Sequence, residues 1–413
     1  MKTYKITVLG DVMSEGPLLQ GVRRPDGSYD YDPVFLPLKG LMDEADNRIV
    51  NLETPVAGED LGYTDNIISF NAPRSLVTAL QKIGVDAVST ANTHAVDRGA
   101  TGLVRTLDTL DELGLAHTGT YRKGEKERIH YFTLGDTRLA MIASTYEVNA
   151  WSTFETNTGS GGGDEADLDQ INFLFEPGLD RGIYNAPKAF RDAMALAEEF
   201  TGKGLSWEER LRIKATLGLP VPYRDDNTCD ESVLHARDEV LRADFEEAKK
   251  HADVVLFLPH TGGQFNVEPG HVSEVVADTA VKLGADAVLA AHSHTTQKAA
   301  WLGGCPTFYS LGNVSMSSNT FYSQHQTLPM YGLAAHLYVS GGKINDAGYS
   351  VFKIVEKPGE PGSMRVVPVD ELYASLTGAE EKTALEKDVE AVVRRVSGAS
   401  LTGAAAIRRE YRL

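Results

Sequence analysis

Short apolar runs of strand length alternate with amphipathic stretches of helical spacing along most of this chain, and that alternation restricts the folds it can adopt. The runs are rich in aliphatic and β-branched residues: Ile6–Leu9, Arg48–Leu52, Val85–Thr90, Leu139–Ala143, Val254–Pro259, Ala287–Ala291 and Thr307–Leu311. Between the runs, leucines recur with helical spacing over Leu103–Leu113 before Gly114, and Val272–Leu283 shows the same pattern. The alternation predicts an α/β protein whose helices cover the faces of its sheets.

The composition is that of an ordinary folded protein. Of the 413 residues, 42% are hydrophobic and 24% are charged, so there is enough apolar side chain to build a core. The length suits either one large α/β unit or two domains. The net charge of −18 leaves no excess of lysine and arginine for a phosphate backbone or an anionic lipid surface. We therefore expect neither a nucleic acid nor a membrane as a partner.

The cysteine content and the N-terminal sequence bear on the cellular compartment. Two cysteines, Cys229 and Cys305, are too few for a disulfide framework and are expected to be free thiols. The first residues enter a strand directly, without the apolar stretch of about 7–15 residues that a signal peptide needs. No apolar run reaches the roughly 18 residues of a membrane-spanning helix. The sequence therefore predicts a cytoplasmic protein.

One region interrupts the alternation of strands and helices. Residues 150–250 contain the glycine-rich stretch Gly159–Gly163, followed by several helical patterns that end with Glu231–His251. Aromatic residues are frequent there: Trp151, Phe154, Phe173, Phe175, Tyr184, Phe190, Trp207 and Tyr223. Two interpretations are open, a helical insertion with its own small core or a lid that covers an active site and contacts an organic substrate.

The domain organisation follows from these patterns. We expect a catalytic domain at residues 1–355 that carries the insertion, and a C-terminal linker and helix at residues 356–413. The proline- and glycine-rich stretch Lys357–Gly362 is the expected linker, and Ala379–Val396 is the expected helix.

Polar side chains that can carry chemistry lie at the ends of five of the apolar runs. They are Asp11, Asn51, Glu53, Asn92, His94, Asp97, His260, His292 and His294. In an open α/β sheet, binding sites are built at the carboxyl ends of the strands. Carboxylate, amide and imidazole groups together are ligands for a hard or borderline divalent cation. An isolated Asn-x-His sequence is more often a loop that satisfies its own backbone, but the whole set predicts a metal site.

Six short motifs, in order along the chain, show a resemblance to a known family. They are Gly10–Met13, Asn51–Pro55, Ala91–Gly99, His260–Gly263, Ala291–His294 and Tyr309–Asn313. With these motifs the sequence resembles the CapA/PgsA family, the poly-γ-glutamate capsule-synthesis proteins with a calcineurin-like metallophosphoesterase fold. The resemblance implies two packed mixed sheets flanked by helices, with a metal site between the sheets.

The resemblance also implies roles for individual residues. The metal ligands that it implies are Asp11, Glu53 and His294 around one position, and Glu53, Asn92, His260 and His292 around a second. His94 would be the acid/base residue beside them, oriented by Asp97. The spacing agrees with this role, because residues three apart at a helix start face one another and Asp97 can then hold one ring nitrogen of His94.

Two departures from the family pattern reduce the expected metal content. A full two-metal phosphoesterase site has a histidine two residues after its first aspartate, where this chain has Met13, a poor ligand for hard cations. The family usually carries a glutamate where this chain has Gln264. We therefore expect one tightly held divalent cation, completed by water. Calcium, manganese, magnesium and zinc are the candidates, and the hard ligands suit calcium.

Three enzyme functions fit these observations, and a binding module without activity is a fourth possibility. The fold favours a phosphoester hydrolase, and the family name favours an enzyme that acts on γ-glutamyl polymers. The third is a metal-dependent peptide epimerase, because the soluble branch of the family includes an epimerase of lasso-peptide biosynthesis. We favour the epimerase, which would invert an α-carbon in a ribosomal precursor peptide. His94 with Asp97 and His294 with Asp11 would be its two acid/base pairs.

Overall fold

The computed structural model describes most of the chain outside the region that interrupts the alternation. The described residues are 2–64, 69–125, 127–149, 168–175, 234–235, 237–318, 320, 323–357, 360 and 362–413.

The described strands belong to one nine-stranded and one six-stranded sheet. They are β1 (Tyr4–Val12), β2 (Asn47–Leu52), β3 (Ala87–Ser89), β4 (Ala116–Thr118), β5 (His130–Leu134), β6 (Thr137–Thr145), β7 (Val254–His260), β8 (Ala287–Leu289), β9 (Ala299–Leu302), β10 (Cys305–Phe308), β11 (Asn313–Ser315), β12 (Tyr331–Ser340), β13 (Lys343–Val355), β14 (Arg365–Pro368) and β15 (Tyr411–Arg412). Each of the predicted apolar runs overlaps one of these strands.

The described helices connect and cover the sheets. They are α1 (Gly16–Gly21), α2 (Asp32–Phe35), α3 (Lys39–Met42), α4 (Ser75–Lys82), α5 (Gly99–Glu112), α6 (Asp238–His251), α7 (His271–Leu283), α8 (Val369–Ser375) and α9 (Ala379–Ser397). Gly284 ends α7 in the left-handed conformation, with φ of 95°, as expected for a glycine that terminates a helix.

Both sheets are mixed, with parallel strands at their centres. The first has the order β14-β13-β12-β1-β2-β3-β4, with β11 beside β1 and β15 beside β13. In it β1 to β4 run parallel, and β12 runs antiparallel to β1. The second has the order β5-β6-β7-β8-β10-β9, and β6, β7, β8 and β10 run parallel. Within each sheet, the carboxyl ends of the parallel strands therefore lie along one edge.

The alternation of side chains along each strand creates the layers of the fold. On β6, Leu139 and Met141 lie in the core between the two sheets, whereas Ala140 and Ile142 lie in the core beneath α6 and α7. The outer face of the first sheet is covered in the same way by α4 and α5. Burial of each leucine, isoleucine or methionine among them contributes about 1.5–3 kcal/mol. The order helix, sheet, sheet, helix confirms the predicted fold of two packed mixed sheets flanked by helices.

The predicted insertion at residues 150–250 lies mostly outside the described residues. Within its described part, helix α6 begins at Asp238, later than the predicted start at Glu231, and packs on the second sheet through Phe245. Phe173 and Phe175, which we expected among the aromatic contacts of a lid, are buried in the hydrophobic cores. The substrate contacts of a lid therefore remain a prediction for the other aromatic residues of this region.

The C-terminal residues form part of the main fold. Strands β14 and β15 join the first sheet by pairing with β13. The predicted helix at Ala379–Val396 is observed as α9, and it buries Val389, Val392, Val393 and Val396 in the same core that separates the two sheets. Residues 365–413 are thus packed against the predicted catalytic domain.

Candidate metal centre

The candidate site is built at the carboxyl ends of the parallel strands of both sheets. Asp11 lies on β1, Glu53 directly follows β2, and His260 is the last residue of β7. A close approach of the backbone next to Asp11 helps to align it, because a Cβ on Gly10 would lie 2.0 Å from the carbonyl oxygen of Gly312. Only glycine permits this contact.

The predicted ligands form two overlapping groups of buried side chains. One consists of Asp11, Glu53 and His294, and the other of Glu53, His260 and His292; within each group, the ligand atoms lie within 4.8 Å of one another. Nε2 of His260 is 3.1 Å from Oε1 of Glu53 and 3.1 Å from Nδ1 of His292. Glu53 belongs to both groups, so its carboxylate is the centre of the site.

The chemistry of these residues fits a divalent cation. Two carboxylates and three imidazoles are a donor set that divalent metals bind. Oε2 of Glu53 is buried and accepts no hydrogen bond from the described part of the chain, so this oxygen has a free lone pair for a cation. Met13 is fully buried in the hydrophobic core, consistent with the expectation that it is not a ligand.

The protonation states of Glu53 and His292 also fit cation binding. Burial opposes the charge of Glu53, but His260 and His294 outweigh it and hold the pKa of Glu53 well below its usual range. Burial, reinforced by His260 and His294, holds the pKa of His292 well below its ordinary value. Glu53 is therefore ionised and His292 neutral at neutral pH, the forms that bind metal ions.

Asn92, a predicted ligand, has a positioning role in this structure. Its Nδ2 donates to the carbonyl oxygen of Leu52 at 2.8 Å, and its Oδ1 accepts from the backbone N–H of His94 at 3.2 Å. The side chain thereby ties the loop after β3 to the end of β2. Metal ligation by its amide oxygen remains a prediction.

His94 and Asp97 form a short contact in the loop after β3. Nδ1 of His94 lies 2.6 Å from Oδ2 of Asp97, and both side chains are buried. Burial disfavours protonation of His94, but Asp97 outweighs it and raises the pKa of His94. The same Oδ2 accepts the backbone N–H of Phe70 at 2.6 Å, and the Phe70 ring stacks on His94 with a centroid distance of 4.1 Å. These contacts fix the orientation of the imidazole.

His294 contacts Asp11 across the interface between the sheets. Its Nδ1 lies 3.4 Å from Oδ2 of Asp11 and 3.0 Å from Oδ1 of Asn313. Burial disfavours protonation of His294, but Glu53 and Asp11 outweigh it and raise its pKa to about 9. His292 and His294 have φ of 108° and 54°. Such backbone costs about 1–3 kcal/mol per residue and persists only where neighbouring contacts impose it.

Sequence reasoning missed two residues of the site and several of its contacts. Asn51 was among the predicted strand-end residues, but its donation to Oδ1 of Asp11, at 2.8 Å, was not predicted. Asn149 was missed, and its Nδ2 lies 3.4 Å from both ring nitrogens of His94. Asn149 follows β6 closely, so the rule that sites form at strand ends would have identified it. Asn313 lies in one of the six family motifs, but nothing in the sequence near it predicted its contact with His294. The same is true of the stacking of Phe70 on His94.

The family model for the bacterial capsule synthesis protein PGA_cap matches residues 5–318. The chain belongs to this family. The match includes every predicted site residue, the whole second sheet and strands β1 to β4 and β11 of the first sheet, and it confirms the predicted resemblance at the level of the family. Membership of the PGA_cap family and the two-sheet architecture agree with the predicted calcineurin-like fold. Together with the buried cluster of histidines and carboxylates, they indicate a metal-dependent enzyme.

Two relatives of this PGA_cap protein carry capsule or PGA biosynthesis names. It is 24% identical over 339 residues to the PGA biosynthesis protein CapA of Bacillus subtilis (strain 168), covering 81% of this chain and 70% of the relative. It is 22% identical over 388 residues to the capsule biosynthesis protein CapA of Bacillus anthracis, covering 92% of this chain and 74% of the relative. Among the described residues, no helix is long and apolar enough to span a bilayer.

Solved structures with a similar arrangement include two proteins of low sequence identity. One is a putative 5′-nucleotidase from Staphylococcus aureus, with 15% identity, a TM-score of 0.42, and coverage of 94% of this chain and 58% of that chain. Another is a hypothetical protein from Thermus thermophilus, with 16% identity, a TM-score of 0.41, and coverage of 84% of this chain and 99% of that chain.

Proposed function

We propose that this PGA_cap protein is a metal-dependent peptide epimerase that inverts an α-carbon of a ribosomal precursor peptide of the lasso type. The observation that carries the proposal is the presence of two buried histidine–carboxylate pairs, His94 with Asp97 and His294 with Asp11, beside one shared carboxylate. Hydrolysis needs one acid/base group and an activated water, whereas inversion of a carbon centre needs two such groups.

The order of the strands supports a position of Glu53 between the two pairs. In the first sheet β2 lies between β1, which carries Asp11, and β3, which leads to His94 and Asp97. Thr93, the neighbour of His94, donates to Oε1 of Glu53 at 3.2 Å. On the other side, a ligand atom of His294 lies within 4.8 Å of the carboxylate of Glu53. A substrate carbonyl beside Glu53 would therefore be within reach of both pairs.

The two imidazoles supply the proton transfers of an inversion. Because Nδ1 of His94 faces Asp97 and Nδ1 of His294 faces Asp11, each Nε2 is the nitrogen that exchanges a proton with the substrate. One Nε2 removes the α-proton from one face, and the other delivers a proton to the opposite face. The carboxylates hold each ring in orientation and stabilise its protonated form. A divalent cation held by Glu53, His260 and His292 would supply positive charge for the developing enolate.

A second candidate function is a metal-dependent hydrolase, acting on a phosphoester or on a γ-glutamyl bond in a capsule-type reaction. The family match and the capsule names of the relatives favour it more directly than they favour epimerisation. In such a reaction His94 would protonate the leaving group, and His294 would serve mainly as a ligand. The second histidine–carboxylate pair would then have no separate task.

Deuterium exchange separates the two candidates. Purified protein with one divalent metal at a time is incubated in D₂O with a panel of lasso precursor peptides, and the products are analysed by mass spectrometry and chiral amino-acid analysis. The epimerase predicts a gain of one mass unit at one α-carbon, inversion at that carbon and an intact chain. His117→Ala is the matched control, because His117 lies outside the site, where its Nε2 is 3.0 Å from Oδ1 of Asp111.

The hydrolase is tested in parallel with bis-p-nitrophenyl phosphate and with poly-γ-glutamate. Cleavage of either substrate, lost in His94→Ala, together with no exchange in any peptide of the panel, would replace the epimerase with the second candidate. Elemental analysis of the metal-loaded protein is the accompanying measurement. Because Met13 replaces the histidine of a two-metal site, we expect one tightly bound equivalent of metal. Two equivalents of metal at full occupancy would favour the hydrolase.

A further inference from the structure

Arg395 reaches from the C-terminal helix α9 to the loop that carries His292 and His294. Its Nη1 donates to the carbonyl oxygen of Thr327 at 2.8 Å and to Oγ1 of Thr295 at 2.9 Å. Oγ1 of Thr295 in turn donates to the same carbonyl oxygen at 2.7 Å. The guanidinium thus closes a hydrogen-bonded triangle directly after His294 in the sequence.

This triangle adjoins the contacts that fix His294. Nδ2 of Asn313 donates to the carbonyl oxygen of His294 at 2.8 Å and to that of Pro329 at 3.1 Å. Segment 327–329 therefore bonds to Arg395 at its start and to Asn313 at its end. These two bonds flank Leu328, whose φ of 59° lies in the left-handed region.

Helix α9 gives Arg395 a rigid base. Its neighbours Val392, Val393 and Val396 are fully buried in the core between the sheets, and Arg395 is itself partly buried. The preceding residue, Arg394, is exposed. The family match ends at residue 318, so the guanidinium comes from a part of the chain outside the matched region.

We propose that Arg395 is a positioning residue for the metal centre. From outside the family-matched region, its guanidinium holds the His292–His294 loop in its strained conformation. Neither histidine touches Arg395 in the contacts above, so it acts through Thr295 and segment 327–329. This role concerns the geometry of the loop and applies whether the enzyme epimerises or hydrolyses its substrate.

Metal binding and histidine NMR test the role without any substrate. In calorimetric titrations of metal-free protein with Mn²⁺, we expect Arg395→Ala to lower the affinity about tenfold, as loss of an outer-shell contact does. In protein labelled with ¹³C-histidine, the imidazole signals of His292 and His294 should shift or broaden, whereas that of His336 should not. Arg394→Ala is the matched control and should change the affinity by less than about twofold.

Two further measurements separate positioning by the guanidinium from general loosening of the helix. Added methylguanidinium should restore the Mn²⁺ affinity of Arg395→Ala, because it replaces the missing donor. Val392→Ala, which removes packing and leaves the hydrogen bonds in place, should lower the melting temperature with little loss of affinity. The proposal is wrong if Arg395→Ala leaves the affinity and both histidine signals unchanged, or if Val392→Ala reproduces its effects.

Discussion

The two histidine–carboxylate pairs of the site differ in how they are assembled. His94 and Asp97 are three residues apart in one loop, and their contact of 2.6 Å is formed within a single turn of chain. His294 and Asp11 come from the two different sheets and are 3.4 Å apart. The first pair is therefore a local feature, and the second exists only when both sheets are packed together.

The difference extends to the groups that support each pair. His94 is held by its neighbours in the first sheet and by the stacked ring of Phe70. His294 depends on Asn313, which lies at the start of β11, and its loop depends on Arg395 from α9. The His94–Asp97 side of the metal centre is thus formed by local structure, whereas the His294–Asp11 side forms only when the two sheets pack together.

Removal of the carboxylate of Glu53 should have the largest effect, because Glu53 belongs to both ligand groups. We expect Glu53→Gln to lower divalent-metal affinity by at least about 100-fold, since even outer-shell partners cost 10–100-fold, and to abolish turnover. Calorimetry and the exchange assay measure these effects, with the exposed Glu59→Gln as control. Normal metal content in Glu53→Gln would show that the cation is held elsewhere.

Loss of either imidazole should block inversion while leaving half of the chemistry. His94→Ala and His294→Asn are each expected to reduce epimerisation by about 10³-fold with the fold intact. Each variant should still exchange the α-proton of one enantiomer with D₂O, and the two variants should act on opposite enantiomers. If both variants lost exchange equally for both enantiomers, His94 and His294 would not serve opposite faces of the α-carbon.

The carboxylate partners should separate the local pair from the long-range pair. Asp97→Asn and Asp11→Asn are each expected to reduce inversion at neutral pH by less than the loss of the imidazole itself, but only Asp11→Asn should also weaken metal binding, because Asp11 belongs to the ligand group. Asp97 raises the pKa of His94, so Asp97→Asn should move the NMR titration midpoint of His94 to lower pH. A midpoint that stays unchanged or rises would contradict the assigned contact.

His336 is a buried imidazole outside the two pairs, with neutral hydrogen-bond partners, and its substitution should have the smallest effect. Its ring nitrogens contact Oγ1 of Thr7 at 3.0 Å and Oγ of Ser350 at 2.9 Å. Burial, with Lys5 and two arginines nearby, holds the pKa of His336 well below its ordinary value. The unfolded chain therefore binds this proton first, and stability is lost as the pH falls below about 6.5, by up to about 1.4 kcal/mol per pH unit.

Denaturant unfolding between pH 7 and pH 5 measures this loss. His336→Gln, which keeps a donor and an acceptor but cannot be protonated, should show a shallower decrease in the free energy of unfolding than the parent protein. The exposed His251→Gln serves as the control. An identical pH dependence in the parent and in His336→Gln would show that folding does not lower the pKa of His336.

The sequence alone predicted seven of the strands, several helices and most residues of the candidate site. The apolar runs specify strands because alternate side chains must be buried on two faces, and Leu103–Leu113 specifies a helix by its spacing. The rule that sites form at strand ends identified Asp11, Glu53 and His260, and the contact of His94 with Asp97 followed from their separation in the sequence. The extent of the C-terminal packing was not visible, because the valines of α9 do not indicate which surface they bury.

Only the tertiary structure decided how those residues meet. Sharing of Glu53 by two ligand groups, the pairing of His294 with Asp11, and the contacts of Asn313 and Phe70 join segments that are distant in the chain. Local dihedral preferences fix neighbours within a turn or a strand, but they carry no information about the approach of two sheets. The left-handed backbone at His292 and His294 is a result of that approach, because neighbouring contacts must impose a conformation that the residues would not adopt by themselves.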